Sequence, residues 1–419
     1  RYQASRGHSA AFDVQIRPGV SLETLIGRVE NIVRAHVDYQ TGRIARAGVE
    51  FVHGRAAFRS PTELSIRAVT GAETIIRGKT IIIATGSTPR NPPEIPVDHE
   101  HILDSDSILS LGYLPESMTV LGAGVIASEY ASIFALLGVK VTMLDRGTRP
   151  VGFLDPELSQ IFRQSFEVAG GEYLPGARVA SVGFDGFSSV VTTLEDGQRI
   201  ASEKMLVAIG RTAAIRGLGV EDIGIATTAR GLVEVGDGGQ TTVKNIYAVG
   251  DVAGPPALAA TAMQQGRAAI RHALGQLVSR PTDLVPVGIY TIPEMACVGL
   301  DEAAARKAHG GAIVGRAPFA EVARAHISSN EDGLLKLVAS PDGKQLLGVQ
   351  IVGRGATELC SVGQMALINN NDVDLFADTV FNFPTMAEAY RVAAFDIIAQ
   401  RSALSDAPSS QRPASIAVA

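Results

Sequence analysis

Apolar positions set the outline of this chain. Leu22, Leu25, Ile26, Val29, Ile32 and Val33 recur at helical spacing and predict a helix over most of 21–48. Short strand-like runs follow at Val49 to Val52, Glu63 to Ala68 and Ile75 to Ala84. The polar, proline-rich stretch 88–97 reads as a connection. Met118 to Leu121 then reads as a strand, Ala127 to Leu137 as a helix and Lys140 to Leu144 as a second strand, which makes one βαβ unit. Strands and helices alternate as far as Met205 to Ile209. A strand at Ile246 to Val249 follows, then a helix from Ala259 to Leu274. Pro281 and Pro286 mark a hinge. Strands at Leu334 to Val338 and Leu346 to Val352, followed by helices, predict a separate α+β domain. Ser402 to Ala419, rich in Ser, Ala and Pro, reads as a disordered tail.

Length adds that 419 residues exceed what one core usually organises, so two or three domains are expected. The net charge of −6 argues against nucleic acid, which needs a concentrated basic face. No apolar run approaches the ~20 residues of a membrane span. The first residues carry two arginines without a following apolar block, so no secretory signal is read there. The expectation is a cytoplasmic enzyme. Cys297 and Cys360 are far apart and form no CxxC pair or ligand cluster, which predicts buried, inert thiols. No HxxxH or carboxylate cluster suggests a metal, and His326 reads as structural or surface.

The chemistry concentrates at Gly122-Ala123-Gly124-Val125-Ile126-Ala127, between a strand and a helix. Gly122 allows a tight turn, Gly124 lets backbone approach a pyrophosphate, and Ala127 permits close helix–strand packing. The phosphates belong on the helix N-terminus, where unpaired N–H groups and the dipole favour an anion. Asp145 ends the second strand, where a carboxylate meets the adenosine ribose. Asp145 favours NAD. Arg146 and Arg149 offer partners for the extra phosphate of NADP. Both a site that accepts either nucleotide and an NAD site with incidental arginines fit this pattern.

Two further junctions place small residues after strands: Ile83-Ala84-Thr85-Gly86-Ser87 and Tyr247-Ala248-Val249-Gly250-Asp251. Flanking a βαβ unit in this order, they resemble the two-dinucleotide-fold flavoproteins that include lipoamide dehydrogenase, glutathione reductase and mercuric reductase. The resemblance runs from about residue 20 to residue 400. It implies an α/β fold of two Rossmann-like domains, the FAD domain incomplete at its N-terminus, plus a C-terminal α+β dimerisation domain. The implied spans are 1–112 with 245–284 for FAD, 113–244 for NAD(P), 285–401 for dimerisation and 402–419 for the tail. By resemblance Asp251 bonds the flavin ribityl chain, and Thr85, Gly86, Gly250 and Ala259 lie against FAD. Likewise Glu129 lies near the nicotinamide and Gly210, before Arg211, forms a second turn against NAD or NADP.

Two departures locate the branch. Disulfide reductases of this family carry a His-Pro-Thr-x-x-Glu motif whose histidine serves a reactive thiol. Here the segment reads Phe383-Pro384-Thr385-Met386-Ala387-Glu388, and phenylalanine moves no proton. The wider run Phe381 to Ala394, with Asp104 to Leu109 and Ser128 to Phe134, resembles the soluble pyridine-nucleotide transhydrogenases. The second departure is that residues 1–50 carry no GxGxxG loop, so the family's N-terminal FAD-binding segment reads as absent. The resemblance implies hydride transfer between NADPH and NAD+ through FAD in a homodimer or higher homo-oligomer. It names no catalytic acid, base or nucleophile, and implies neither a nucleic-acid nor a membrane partner. Two other readings remain: a dihydrolipoamide-dehydrogenase-like enzyme, and a catalytically silent NAD(P)-binding fragment.

Overall fold

The computed structural model describes residues 22–277 and 284–406. The hinge segment around Pro281 and the tail beyond residue 406 lie outside them.

The first described element is helix α1 (Leu22–Arg46). Its apolar stripe forms as the spacing predicts, but it is not buried: no residue of the helix is buried, and Val29, Ile32, Val33 and Val37 are about half exposed. Residues 49–52 carry no strand, contrary to their composition. The first sheet is instead the antiparallel meander β1 (Arg55–Ser60), β2 (Glu63–Arg67) and β3 (Glu73–Arg77). The predicted strand at 75–84 is broken at Gly78-Lys79-Thr80, so that β3 stays in the meander. The next strand, β4 (Ile81–Ile83), belongs to another layer. After β5 (Ser87–Pro89) the chain reaches β6 (Ile102–Asp104), which pairs in parallel at the edge of the next sheet.

That sheet is the expected βαβ core. Strand β7 (Ser117–Leu121), helix α2 (Val125–Leu136), β8 (Lys140–Asp145), helix α3 (Pro156–Val168) and β9 (Glu172–Pro175) run in order. A three-stranded antiparallel excursion follows: β10 (Val179–Phe184), β11 (Val190–Leu194) and β12 (Arg199–Ser202). Strand β13 (Lys204–Val207) then returns to complete a five-stranded sheet of order β6-β13-β7-β8-β9, in which every pairing is parallel. Covered on both faces, its strands are nearly continuous apolar runs. Met118, Val120, Val141, Met143, Phe162 and Phe166 are essentially inaccessible.

Strand β14 (Arg211–Ala213) crosses back to pair with β5, and β15 (Ile246–Ala248) pairs in parallel with β4. Helix α4 (Ala259–Ala273) follows. The last unit is an antiparallel sheet: β16 (Val287–Ile289), β17 (Met295–Gly299), then past helix α5 (Glu302–His309) β18 (Ile313–Pro318), and past α6 (Ala323–Ile327) β19 (Leu334–Ala339) and β20 (Leu346–Val352). Their spatial order is β16-β17-β20-β19-β18. Helices α7 (Ala356–Ile368), α8 (Asp374–Asp378) and α9 (Glu388–Asp406) close it. Since α9 runs to Asp406, residues 402–406 are helical rather than part of a tail. The apolar core is continuous across this boundary: Ile289, Met295, Leu334 and Val352 pack in one cluster with Phe162 and Met143.

Candidate functional site

Parallel strands place their turns at one edge of a sheet, and the chain uses that edge twice. Beyond β7, Gly122 adopts φ 108° and a Cβ there would stand 2.5 Å from the Ala208 carbonyl oxygen, so only glycine fits. Gly124 is the extended N-cap of α2 with open space before it and no side-chain cap, which leaves the helix N-terminus facing outward. Ala127 is wholly buried. The loop is clipped to its neighbour by Val151, whose N–H donates to Ala123 O at 2.7 Å. Val151 holds φ 43°, a strained conformation for a β-branched residue.

Asp145 ends β8 beside the glycine loop. Its Oδ2 accepts from Ala123 N at 3.2 Å and its Oδ1 from Gly147 N at 2.6 Å, so the carboxylate fastens the two turns together. Arg149 points into its own loop, donating to Gly152 O at 2.7 Å and Leu154 O at 3.1 Å. Arg146 is exposed and makes no ion pair with a described residue. A cavity of about 400 Å³ lies here, lined by Ala123, Gly124, Asp145, Thr148, Arg149 and Phe153 among others.

A second cavity, of about 360 Å³, opens between Ser105, Asp106, Ile126, Glu129, Tyr130, Ile133 and Arg211. The Glu129 carboxylate accepts the Tyr290 N–H at 2.8 Å from the C-terminal unit. Burial raises its pKa, and that hydrogen bond opposes the rise. Burial also raises Tyr130, with Asp106 and Glu129 adding to the effect. The turn presenting Ser105 and Asp106 is organised by Asp104. Burial alone would raise this carboxyl, yet the Ser107 and Asp106 N–H groups, the Asn91 amide and the Ser107 hydroxyl hold it down at about 2.

Gly210, at φ 117°, aims Arg211 across the junction between units. The guanidinium donates to Ser87 Oγ (2.7 Å), Ser87 O (2.8 Å) and Ser105 Oγ (3.1 Å), and lies 3.4 Å from Asp106 Oδ1. Ser87 Oγ in turn donates to Asp251 Oδ2 at 2.7 Å. The parallel pair β4–β15 therefore delivers Thr85 and Gly86 beside Gly250 and Asp251, as their shared strand-to-turn pattern suggests. Gly250 N donates to Gln265 Oε1 of α4 at 2.7 Å, and Ala259 opens that helix, exposed. Asp251 Oδ1 makes no hydrogen bond among the described residues. With the open face at Gly86, this carboxylate fits a polyhydroxyl chain.

The structure thus forms two groups, one around Gly122, Gly124, Ala127, Asp145 and Arg146, the other running from Glu129 past Gly210 to Asp251. Sequence reasoning missed Ser87, Ser105, Asp106 and Tyr290 as members of the second. Polar residues just after glycine turns or strand ends were the available signal. Tyr290 enters only through its backbone, which no side-chain pattern reveals. The thiols lie elsewhere: burial pushes Cys297 up to about 11 and Cys360 up to about 12. They pack on opposite faces of the last sheet, Cys297 with the cluster of β7 and β8 and Cys360 with α9.

Sequence comparison defines the class. The chain matches the pyridine nucleotide-disulphide oxidoreductase family over residues 8–266 and its dimerisation domain over 285–394. It belongs to that family. Among similar proteins, the soluble pyridine nucleotide transhydrogenase of Mycobacterium tuberculosis is 38% identical over 391 residues, 93% of this chain and 83% of the relative. That of Marinobacter nauticus is 39% identical over 380 residues, 90% and 81% of the two chains. In structure the chain is similar to LpdA from Mycobacterium tuberculosis, with a TM-score of 0.86 at 28% identity over 94% of this chain and 87% of that one. It also resembles the HOCl-induced flavoprotein disulfide reductase RclA from Escherichia coli, with a TM-score of 0.82 at 25% identity over 88% and 85%.

Proposed function

We propose that this chain is a flavin-dependent transhydrogenase that moves hydride between NADPH and NAD+. The observation that carries the reading is a built dinucleotide pocket combined with Phe383 where the family's disulfide reductases place their acid–base histidine. The similarity to soluble transhydrogenases supports it. Residues 113–244, joined by β6, form the nucleotide domain. Gly122, Gly124 and Ala127 seat the pyrophosphate on the N-terminus of α2. Asp145 stands at the adenosine ribose, and Arg146, the arginine not consumed by its own loop, is placed for the phosphate that distinguishes NADP. Gly210 and Glu129 border the nicotinamide end.

Residues before 102 together with 245–284 form the flavin side, where Asp251, Thr85, Gly86, Gly250 and Ala259 hold the ribityl half of FAD. Bound there, FAD supplies reversible two-electron acceptance. The protein's task is orientation and exclusion of water, so no side-chain acid, base or nucleophile is assigned. Residues 285–401 form the dimerisation domain. Met365 and Ile368 on α7, Phe395 on α9 and Phe383 are exposed apolar side chains suited to a second copy of the chain. The match to the dimerisation domain supports a homodimer, and the similarity to soluble transhydrogenases supports a cytoplasmic location.

The decisive comparison sets two acceptor–donor pairs side by side on the flavin-reconstituted protein. NADPH with an NAD+ analogue should give rapid transfer, and dihydrolipoamide with NAD+ should give none. The reverse pattern would place the chain among the dithiol enzymes.

A further inference from the structure

Strand β19 reads Leu334-Leu335-Lys336-Leu337-Val338-Ala339, an apolar run interrupted by one lysine. All six residues are buried, and the Lys336 side chain is 2% exposed. A buried ammonium persists only if carboxylates surround it. Three do: Lys336 Nζ lies 2.8 Å from Asp155 Oδ2, 2.7 Å from Glu157 Oε1 and 3.0 Å from Glu302 Oε2. Arg316, opposite Lys336 on β18, donates to Glu157 through Nε at 2.9 Å and Nη2 at 2.5 Å. The cluster crosses a domain boundary. Lys336, Arg316 and Glu302 belong to the C-terminal unit, whereas Asp155 and Glu157 begin α3 of the nucleotide unit.

Asp155 is the informative member. It is fully buried, and its two oxygens have separate tasks: Oδ1 caps α3 by accepting Glu157 N at 2.9 Å, and Oδ2 takes Lys336. It also terminates the loop 147–154 that walls the glycine-loop cavity. That loop is held at its other end by Asp145, and between them by the strained Val151, so its shape depends on both anchors. We propose that Lys336, reaching from the dimerisation domain, is a positioning residue for the adenosine end of the bound nucleotide. It fixes Asp155, and Asp155 fixes the wall of the pocket. Nucleotide affinity is thereby tied to the docking of the C-terminal domain. The inference rests on the nucleotide-pocket part of the proposed function and not on hydride transfer.

Lys336→Met would leave Asp155 buried and unpaired and threatens folding, so Asp155→Asn is the better variant. Its amide oxygen still caps α3, while its NH2 faces Lys336 and releases the tether. Arg401→Met is the control, because it breaks the Arg401–Asp374 pair within the C-terminal domain, away from both cavities. Calorimetric titration uses ADP-ribose, which carries the adenosine and pyrophosphate but no nicotinamide. Asp155→Asn should weaken it about tenfold, equivalent to about 1.4 kcal/mol. The KM for NADPH should rise in step while kcat stays within about twofold. Arg401→Met should lower Tm and leave ADP-ribose affinity unchanged. Unaltered affinity in Asp155→Asn, or equal weakening in Arg401→Met, would overturn the proposal. If the wild-type protein binds ADP-ribose but transfers no hydride, the transhydrogenase reading fails, and the same titrations still decide the role of Lys336.

Discussion

The two dinucleotide-type regions of this molecule use the same device and finish it differently. Both send parallel strands into glycine turns at one edge. In the middle unit five strands are covered on both faces, and Met118, Met143 and Phe162 are inaccessible. In the first unit the parallel element has, among the described residues, two strands, β4 and β15, and apolar side chains stand outward: Ile82 is 37% exposed, Met263 62% and Ile32 60%. The lesson is that a turn with the right glycines takes its shape from strand pairing, but its rigidity comes from the layers behind it. The glycine-loop pocket has such layers. The Asp251 side has one buried cluster, with Ile83, Ile246, Ala248 and Val252, and adds a chain of hydrogen bonds linking Asp251 through Ser87 to Arg211.

The comparison is broken most forcefully in the middle unit. Phe162→Ala should cost about 3–5 kcal/mol in urea denaturation, the usual loss for a fully buried aromatic. A loss below about 1 kcal/mol would mean that this core is no better packed than the first unit. Gly122→Ala comes next. The Ala208 carbonyl and φ 108° together should impose strain of about 1–3 kcal/mol. Thermal protection by NADH should disappear while the fold persists, as a melting curve with and without nucleotide will show.

A smaller effect is carried by Asp104, whose folded pKa of about 2 lies below the ordinary 3.8. A depressed carboxylate stabilises above its unfolded pKa. Its contribution is therefore complete above about pH 4 and is lost as pH falls towards 2. Asp104→Asn should lower stability at neutral pH and flatten the acid limb between those values. An unchanged limb would contradict the assignment. The smallest effect belongs to the first unit. Ile32→Ser on the exposed face of α1 should change stability by no more than about 0.5 kcal/mol.

Legibility followed the same divide. The βαβ unit, Gly122, Gly124, Ala127 and the placement of Asp145 were readable because strand, turn and helix periods agree locally. The strand predicted at 49–52 failed because Phe51 and its neighbours have apolar composition but no pairing partner among the described residues. The run 75–84 concealed a sheet change at Gly78, since two strands in different layers share one hydrophobic pattern. Helix α1 was legible from its apolar spacing, yet period alone does not say whether a face is covered. Arg149 illustrates the limit for sites. A basic residue near a phosphate pocket is legible, but whether its guanidinium serves the ligand or its own loop is decided by carbonyls at Gly152 and Leu154. The Lys336 cluster was invisible for a related reason: its members lie up to 181 positions apart.

The central claim is tested most directly by following hydride transfer from NADPH to an NAD+ analogue with its own absorbance band, with FAD present and with FAD omitted. The account predicts transfer that requires FAD, proceeds without any added thiol and survives treatment with a thiol-alkylating reagent. FAD-loaded protein that leaves the analogue unreduced, but reduces NAD+ when a dithiol is added, would contradict it.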